Sequence, residues 1–451
     1  MHRVQHWAKW LVLIGCLTGL GATAQEPLTL KQAIVLALKQ NPEEAEAHAT
    51  VDESRAGTAQ ARTALLPQIH FTEDMSRGDD PVYVFGARLR QQQFTQADFA
   101  IDSLNRPAPI GNFSTRLSGG WQVFDSLRTE RLIRGAALIE KSAVSQAGAI
   151  DQKTVFGVVA AYQQVLYAER EIDTAKHDMQ TAEALLESVD DHVKAGLAVE
   201  SDRMSAQVNL AACKQSLIVA EGDRELAWAE LRQAMGTPDL AETRLAPIAE
   251  HDFPQGDLQQ ELKTAASARK DLAAMGEADQ AQGAATSAAR LNYGPHVNVY
   301  GNLENDAASF GGANGNNWVA GVQVSIDLLP LGKRAELARE NAASARDNAQ
   351  LESYRQRVRV QVNQAHIQLE TARQSMETAH AAIDQAAESL RIIRNRYQAG
   401  LATITDLLRA EDAERQSQTS YWRAVYANSV AYAQLLFATG TLTPEAAEDL
   451  Q

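Results

Sequence analysis

The chain has 451 residues, 45% of them hydrophobic and 22% charged, with 42 Lys and Arg against 57 Asp and Glu and a formal net charge of −15. That length allows two or three ordinary domains. The acidic balance, with basic residues scattered along the chain, argues against nucleic acid as a partner. In chain order, Arg3 and Lys9 give a basic start, Trp10 to Leu20 is largely apolar, and Ala22-Thr23-Ala24 is a small-x-small cleavage pattern. Residues 1–24 therefore read as a signal peptide, with Gln25 the first mature residue. Leu13-Ile14-Gly15-Cys16 also fits a bacterial lipoprotein processing site, which keeps open lipidation of Cys16. Cleavage at Ala24 leaves Cys213 as the one remaining cysteine and no intrachain disulfide. No other segment reaches the roughly 18 apolar residues of a spanning helix, so membrane attachment requires a barrel or a lipid tail.

Beyond the leader, the chain repeats itself. Gly196 in Lys194-Ala195-Gly196-Leu197-Ala198 matches Gly400 in Gln398-Ala399-Gly400-Leu401-Ala402. Asp202 matches Asp406, Ala206 matches Ala410, and Gly236 matches Gly440, all at an offset of 204 residues. Upstream of the turns, Ile172, Ala175, Met179, Ala182, Leu186, Val189 and Val193 align with Met376, Ala379, Ile383, Ala386, Leu390, Ile393 and Tyr397. Alternating spacings of 3 and 4 make each set a coiled-coil seam. Earlier in the copies, Pro67 aligns with Pro295, and Asn41-Pro42-Glu43 with Arg269-Lys270-Asp271, at an offset of 228. Copy one thus carries 24 extra residues, placed in Ser76 to Asn112, whose counterpart is the short segment Asn305 to Asn317.

Each copy predicts helix, strand, loop, strand, long helix, turn, long helix. Ile69 and Phe71 alternate with His70 and Thr72, and Leu117, Gly119, Trp121 and Val123 with Ser118, Gly120 and Gln122. Val297 and Val299 alternate with His296 and Asn298, and Ala320, Val322, Val324 and Ile326 with Gly321, Gln323, Ser325 and Asp327. One apolar and one polar face suits a lipid-facing barrel or a half-buried soluble sheet. No proline lies between Pro109 and Pro238 or between Pro330 and Pro444, which permits helices of roughly 100 Å. Four strands cannot close, and open edges are not tolerated in lipid, so a membrane reading demands oligomerisation.

This combination resembles the TolC family of outer-membrane efflux proteins. The resemblance covers nearly the whole mature chain, from Leu28-Thr29-Leu30 through Ala33 and Ala37 to Asn41-Pro42, the duplicated unit and the two Gly-to-Asp turns. It implies a mixed α+β membrane protein, in which a homotrimer pools four strands per chain into a 12-stranded β-barrel set in outer-membrane lipid. The barrel continues as an α-helical coiled-coil tunnel across the periplasm of a Gram-negative cell. The implied function is the exit duct of a tripartite export system, with a periplasmic adaptor (membrane fusion) protein and an inner-membrane transporter as partners. The implied divisions are a first efflux-protein repeat at 25–240, a linker at 241–256, a second repeat at 257–442 and a tail at 443–451.

By the same resemblance, Gly196, Leu197, Gly400 and Leu401 mark the adaptor-contacting turns. Asp406 matches a lumen-facing aspartate of the periplasmic gate, and Tyr397 and Asp202 a tyrosine and an aspartate that hold it closed. Two departures weaken that gate: Ala402 stands where the family has an arginine, and Arg409 where it has a second lumen acid.

Blander readings stand beside these. Asp202 and Asp406 suit the N-terminus of the next helix, and both turn glycines are ordinary helix stops. Trp121 and Trp318 fit either an interfacial belt or sheet packing. Tyr421, Trp422 and Tyr426 at helical spacing read as core, and Gln91-Gln92-Gln93 with Phe94 as a solvated outer loop. The histidines show no metal-ligand pairing, and no phosphate loop, Cys-x-x-Cys or nucleophile elbow occurs, so no catalytic group, metal or cofactor is expected. The rival to a duct is a periplasmic coiled-coil scaffold or adaptor without a barrel.

Overall fold

The computed structural model describes residues 27–247, 253–312, 315–447 and 450. The signal-peptide and Cys16 expectations lie outside them. Among the described residues, ten α-helices and four strands run in the order α1 (Leu30–Gln40), α2 (Pro42–Thr63), β1 (Gln68–Gly78), α3 (Pro81–Arg90), α4 (Ile101–Asn105), β2 (Ile110–Phe124), α5 (Arg128–Lys194) and α6 (Glu200–Met235). The second half follows with α7 (Leu258–Ala268), α8 (Lys270–Leu291), β3 (His296–Ala307), β4 (Gly315–Ser325), α9 (Leu331–Gln398) and α10 (Ile404–Thr439). The elements of the second copy mirror those of the first, except that α3, α4 and a 3-10 turn at Gln96–Phe99 occupy the extra segment.

Helices α5 and α9 have 67 and 68 residues, about 100 Å each at 1.5 Å per residue. Both seams turn inward: all seven copy-one positions and all seven copy-two positions are buried or half-buried. Three zones are strung along this length. The sheet lies at one end and the helix turns at the other. Between them is a waist whose core includes Leu30, Ile34, Val158, Tyr162, Trp228, Leu231, Val362 and Leu369, joined by Leu442, Ala447 and Leu450 from the end of the chain. Tyr162 ties this waist to the segments around Leu28 and Ala246: its hydroxyl lies 2.7 Å from Leu28 O and 2.8 Å from Ala246 O.

The waist shows the duplication at atomic level. Asn41 caps α2 and also donates Nδ2 to Ala234 O at 2.9 Å. Arg269, its counterpart, donates to Ala438 O at 3.3 Å while pairing with Asp271 and Gln361. Gly236 and Gly440 both adopt left-handed conformations, with φ of 68° and 75°, and end α6 and α10. Each presses its α-carbon against the opposite helix junction. A Cβ on Gly236 would come within 2.6 Å of Asn41 Cα, and one on Gly440 within 2.8 Å of Arg269 N.

The sheet is antiparallel in the order β1-β2-β3-β4, with one bulge between Gln122 and Phe124. Strands β1 and β4 are its open edges. The prediction for Gln91 is corrected here. Gln92 and Gln93 are exposed, but Gln91 is 1% exposed and donates Nε2 to Gly111 O at 2.9 Å and to Asn112 Oδ1 at 2.7 Å. Phe94 is likewise half-buried, edge-on to Phe85 and Phe99 at centroid distances of 4.7 and 5.1 Å. The aromatic side chains give the segment a small core of its own, which a count of polar residues does not reveal.

Candidate functional site: a membrane wall and two helix turns

Register settles how the sheet meets its surroundings. Phe71, Leu117, Leu303 and Trp318 stand opposite one another across all four strands, and Ile69, Gly119, Gly301 and Ala320 form the next row. Trp121, Val299 and Val322 follow, then Val297 and Val324. These side chains point away from the protein core into open space, with Phe71 69% and Trp318 77% exposed. On the same face, the row beyond Trp318 turns polar, with Glu73, Thr115, Asn305 and Asn316. Trp318 thus sits at the boundary of an apolar band, where interfacial aromatics belong. Trp121 lies nearer the helices, its indole N–H donating to Leu65 O at 2.9 Å.

The opposite face is polar. His70, Ser118 and Asn302 form one row, which ends on the apolar Val319, and Thr72, Arg116, Glu304 and Asn317 form the next. Arg116 and Ser114 both donate to Glu304, at 2.8 and 3.0 Å. Among the described residues no helix is long and apolar enough to cross a membrane.

At the far end, the two turns are copies of each other. Gly196 and Gly400 have φ of 73° and 70° with open space where a Cβ would stand. Leu197 N–H bonds His192 O and Leu401 N–H bonds Arg396 O, both at 2.8 Å, the closing bonds of a left-handed helix cap. Leu197 and Leu401 are 78% and 68% exposed, which leaves two large apolar side chains in solvent at the tips.

The following helices start on matching acids. Asp406 Oδ2 accepts from Thr403 N at 3.0 Å and from Thr403 Oγ1 at 2.7 Å, and Thr403 Oγ1 accepts from Asp406 N. These bonds, with Arg409 and Arg396 nearby, hold the Asp406 carboxyl below the usual carboxylate range. Asp202 accepts from Val199 N at a longer 3.5 Å, since valine offers no hydroxyl to complete the box.

Tyr397 is half-buried against a tip core of Leu185, Val189, Ala206, Ile404 and Leu407. All four long helices contribute to that cluster, so the two hairpins share one core at their ends. Burial, and behind it the charge of Asp202, pushes the Tyr397 hydroxyl up. Tyr397 thus lies close enough to the other hairpin to feel the charge of Asp202, while Asp406 and Arg409 stand on the exposed start of α10.

Sequence reading missed a charged layer above the tip. Asp178 on α5 faces Arg415 on α10 at 3.9 Å, and Arg394 on α9 lies 3.5 Å from Glu411 on α10. Burial raises Asp178 to about 6 and also raises Glu411, in each case against the arginine beside it. Burial, then Asp178, pushes the Cys213 thiol up. These residues sit between helices far apart in sequence, so no local spacing announces them. The expected aromatic core is confirmed in part: Tyr421 is buried, edge-on to His380, and Trp422 is half-buried beneath Arg170.

Residues 33–237 and 262–441 each match the family described as outer membrane efflux protein, and the chain belongs to that family. It is 25% identical over 336 residues to Protein CyaE of Bordetella pertussis, spanning 71% of this chain and 69% of that one. It is 23% identical over 424 residues to the alkaline protease secretion protein AprF of Pseudomonas aeruginosa, spanning 90% and 83%. The CmeC outer membrane channel of Campylobacter jejuni shares the fold, with a TM-score of 0.79 at 15% identity over 93% of this chain and 88% of that one. The protein is an outer-membrane channel subunit for export, with the sheet in the membrane and the helices in the periplasm. A scaffold without a barrel is set aside.

Proposed function

We propose that three copies of this chain close one 12-stranded barrel and one helical tunnel, forming the passive exit duct of a tripartite export machine. The open edges of a sheet that is apolar outside and polar inside carry this reading. Strands β1 and β4 have one neighbour each, and in lipid their free backbone groups cost several kcal/mol apiece, of order 3 or more, unless another strand satisfies them. Pairing β1 of one copy with β4 of the next does so. The exposed Leu197 and Leu401 tips are the surface for a periplasmic adaptor, which links the duct to an inner-membrane transporter. Tyr397, Asp202 and Asp406, with Arg409, form the periplasmic gate. The chain then divides into repeats at 25–240 and 257–442 around the linker 241–256. AprF is named for alkaline protease secretion, and likeness over most of the chain makes a secreted protein the first cargo to test.

The test is the mass of the detergent-purified protein, combined with fractionation of cells. A trimer that stays with outer membranes until detergent is added is expected. A monodisperse monomer, or release by osmotic shock, overturns the reading.

A further inference from the structure

The 24 residues that copy one has and copy two lacks do not lie outside the sheet. The strand ends nearest the helices are Gln68, Phe124, His296 and Ser325, so the opposite ends, around Gly78, Ile110, Ala307 and Gly315, mark the outer mouth. Helix α3 folds back from that mouth over the polar face. Tyr83 Oη lies 3.0 Å from Ser76 Oγ on β1. Gln91, at the end of α3, donates to Asn112 on β2, which donates in turn to Asp306 Oδ1 on β3 at 2.6 Å. Asp306 is 0% exposed and Asn112 is buried, both beneath the insert. On β4, Asn317 Nδ2 reaches Arg90 O at 3.4 Å, and Gly315 lies so close that a Cβ there would overlap the Arg90 carbonyl. The helix is thus held to β1, β2 and β4 directly and to β3 through Asn112, on the face opposite the apolar one. A polar cleft of about 470 Å³ lies between α3 and the wall, lined by Asp74, Tyr83, Arg90, Ser114 and Arg116 among others.

We propose that α3 is an outer-mouth constriction: a plug helix, one per copy, that narrows the exit and selects what leaves, held by the Gln91–Asn112–Asp306 chain. The proposal rests on the trimeric reading above. Twelve strands about 4.8 Å apart and tilted about 40° enclose a ring about 24 Å across. Three helices about 10 Å wide with their side chains would need a circle about 22 Å across, close to the backbone-to-backbone width before inward wall side chains are counted, so three copies of α3 leave little open bore. The β3–β4 connection is short and shows no helix among its described residues, which leaves the constriction to the first repeat.

The test uses intact cells expressing the full chain with Cys213→Ser and Ser118→Cys. Ser118 lies on the polar face, on the periplasmic side of the insert. A bulky, membrane-impermeant maleimide is added outside. Two variants unseat the helix by independent means: Gly315→Ala by overlap with Arg90, and Gln91→Ala by removing the pin. Labelling is expected to run at least about tenfold faster in both, as the population shifts to an open mouth. Equal rates in the parent and in both variants overturn the proposal. Crosslinking in the same membranes reports the trimer separately: a trimer with unchanged labelling sinks the plug alone, whereas a parent that is no trimer sinks the assembly on which it rests.

Discussion

Four glycines with positive φ end the four long helices of the hairpins, yet they do different work. Gly196 and Gly400 stand in open space, so alanine there meets only the left-handed strain of about 1–2 kcal/mol. Gly236 and Gly440 meet the same strain and also a backbone wall, which an added methyl cannot enter without moving a helix junction. Gly236→Ala and Gly440→Ala are expected to cost about 2–5 kcal/mol, by adding overpacking to strain. Thermal melting of the purified protein should rank both well below Gly196→Ala; equal losses at all sites would show that the junction yields. Sequence alignment of the copies found these glycines by spacing. It did not separate the tip from the waist, because the difference lies in what packs against each α-carbon. Nor did it show that Asn41 and Arg269 perform the same task, since an amide and a guanidinium look unrelated until both are seen donating to the matching carbonyls of Ala234 and Ala438.

At the scale of elements, the long helices were legible because periodicity is local, whereas the contacts between hairpins were not. The layer around Asp178 is such a contact. Asp178 on α5 is faced by Arg415, Asp412 and Glu414 on α10, with His177 beside it on its own helix and Cys213 on α6. Its folded pKa, near 6, lies above the unfolded value near 3.8. Between those values the native state holds more protons than the unfolded one, so this group's contribution falls as pH rises through the window. Above it, the folded chain carries a buried charge that Arg415 only partly offsets. Asp178→Asn should therefore melt higher than the parent at pH 7.5, with the advantage vanishing towards pH 4. Parallel melting curves across that range would show that water reaches the carboxylate. The copies placed the insert between β1 and β2, but its fold escaped sequence reading for a similar reason: three glutamines in a row look solvated, and Gln91 is buried only because Asn112 and Asp306 arrive from other strands.

At the scale of the whole molecule, the proposed trimer would multiply small terms at the proposed gate. In Tyr397→Phe the hydroxyl is lost, and with it any hydrogen bond the closed gate draws from it, a bond typically worth about 0.5–1.5 kcal/mol. Three such losses shift a closed–open balance substantially, so conductance in planar bilayers should rise. Asp406→Asn removes a ring of three exposed carboxylates and should lower cation preference, less than in a channel without Arg409 nearby. Unchanged conductance and selectivity in both would leave Tyr397 as packing and Asp406 as a helix cap, the role its bonds to Thr403 already fill.

The unassembled subunit has a problem of its own making. Before its partners arrive it carries two unpaired strand edges beside a patch that includes Ile69, Phe71, Met75 and Trp318, all strongly exposed. Such edges template pairing with any extended chain, so the free subunit is the species most prone to clump. In the proposed trimer closure removes both edges at once, so correct assembly and self-association compete for the same backbone groups.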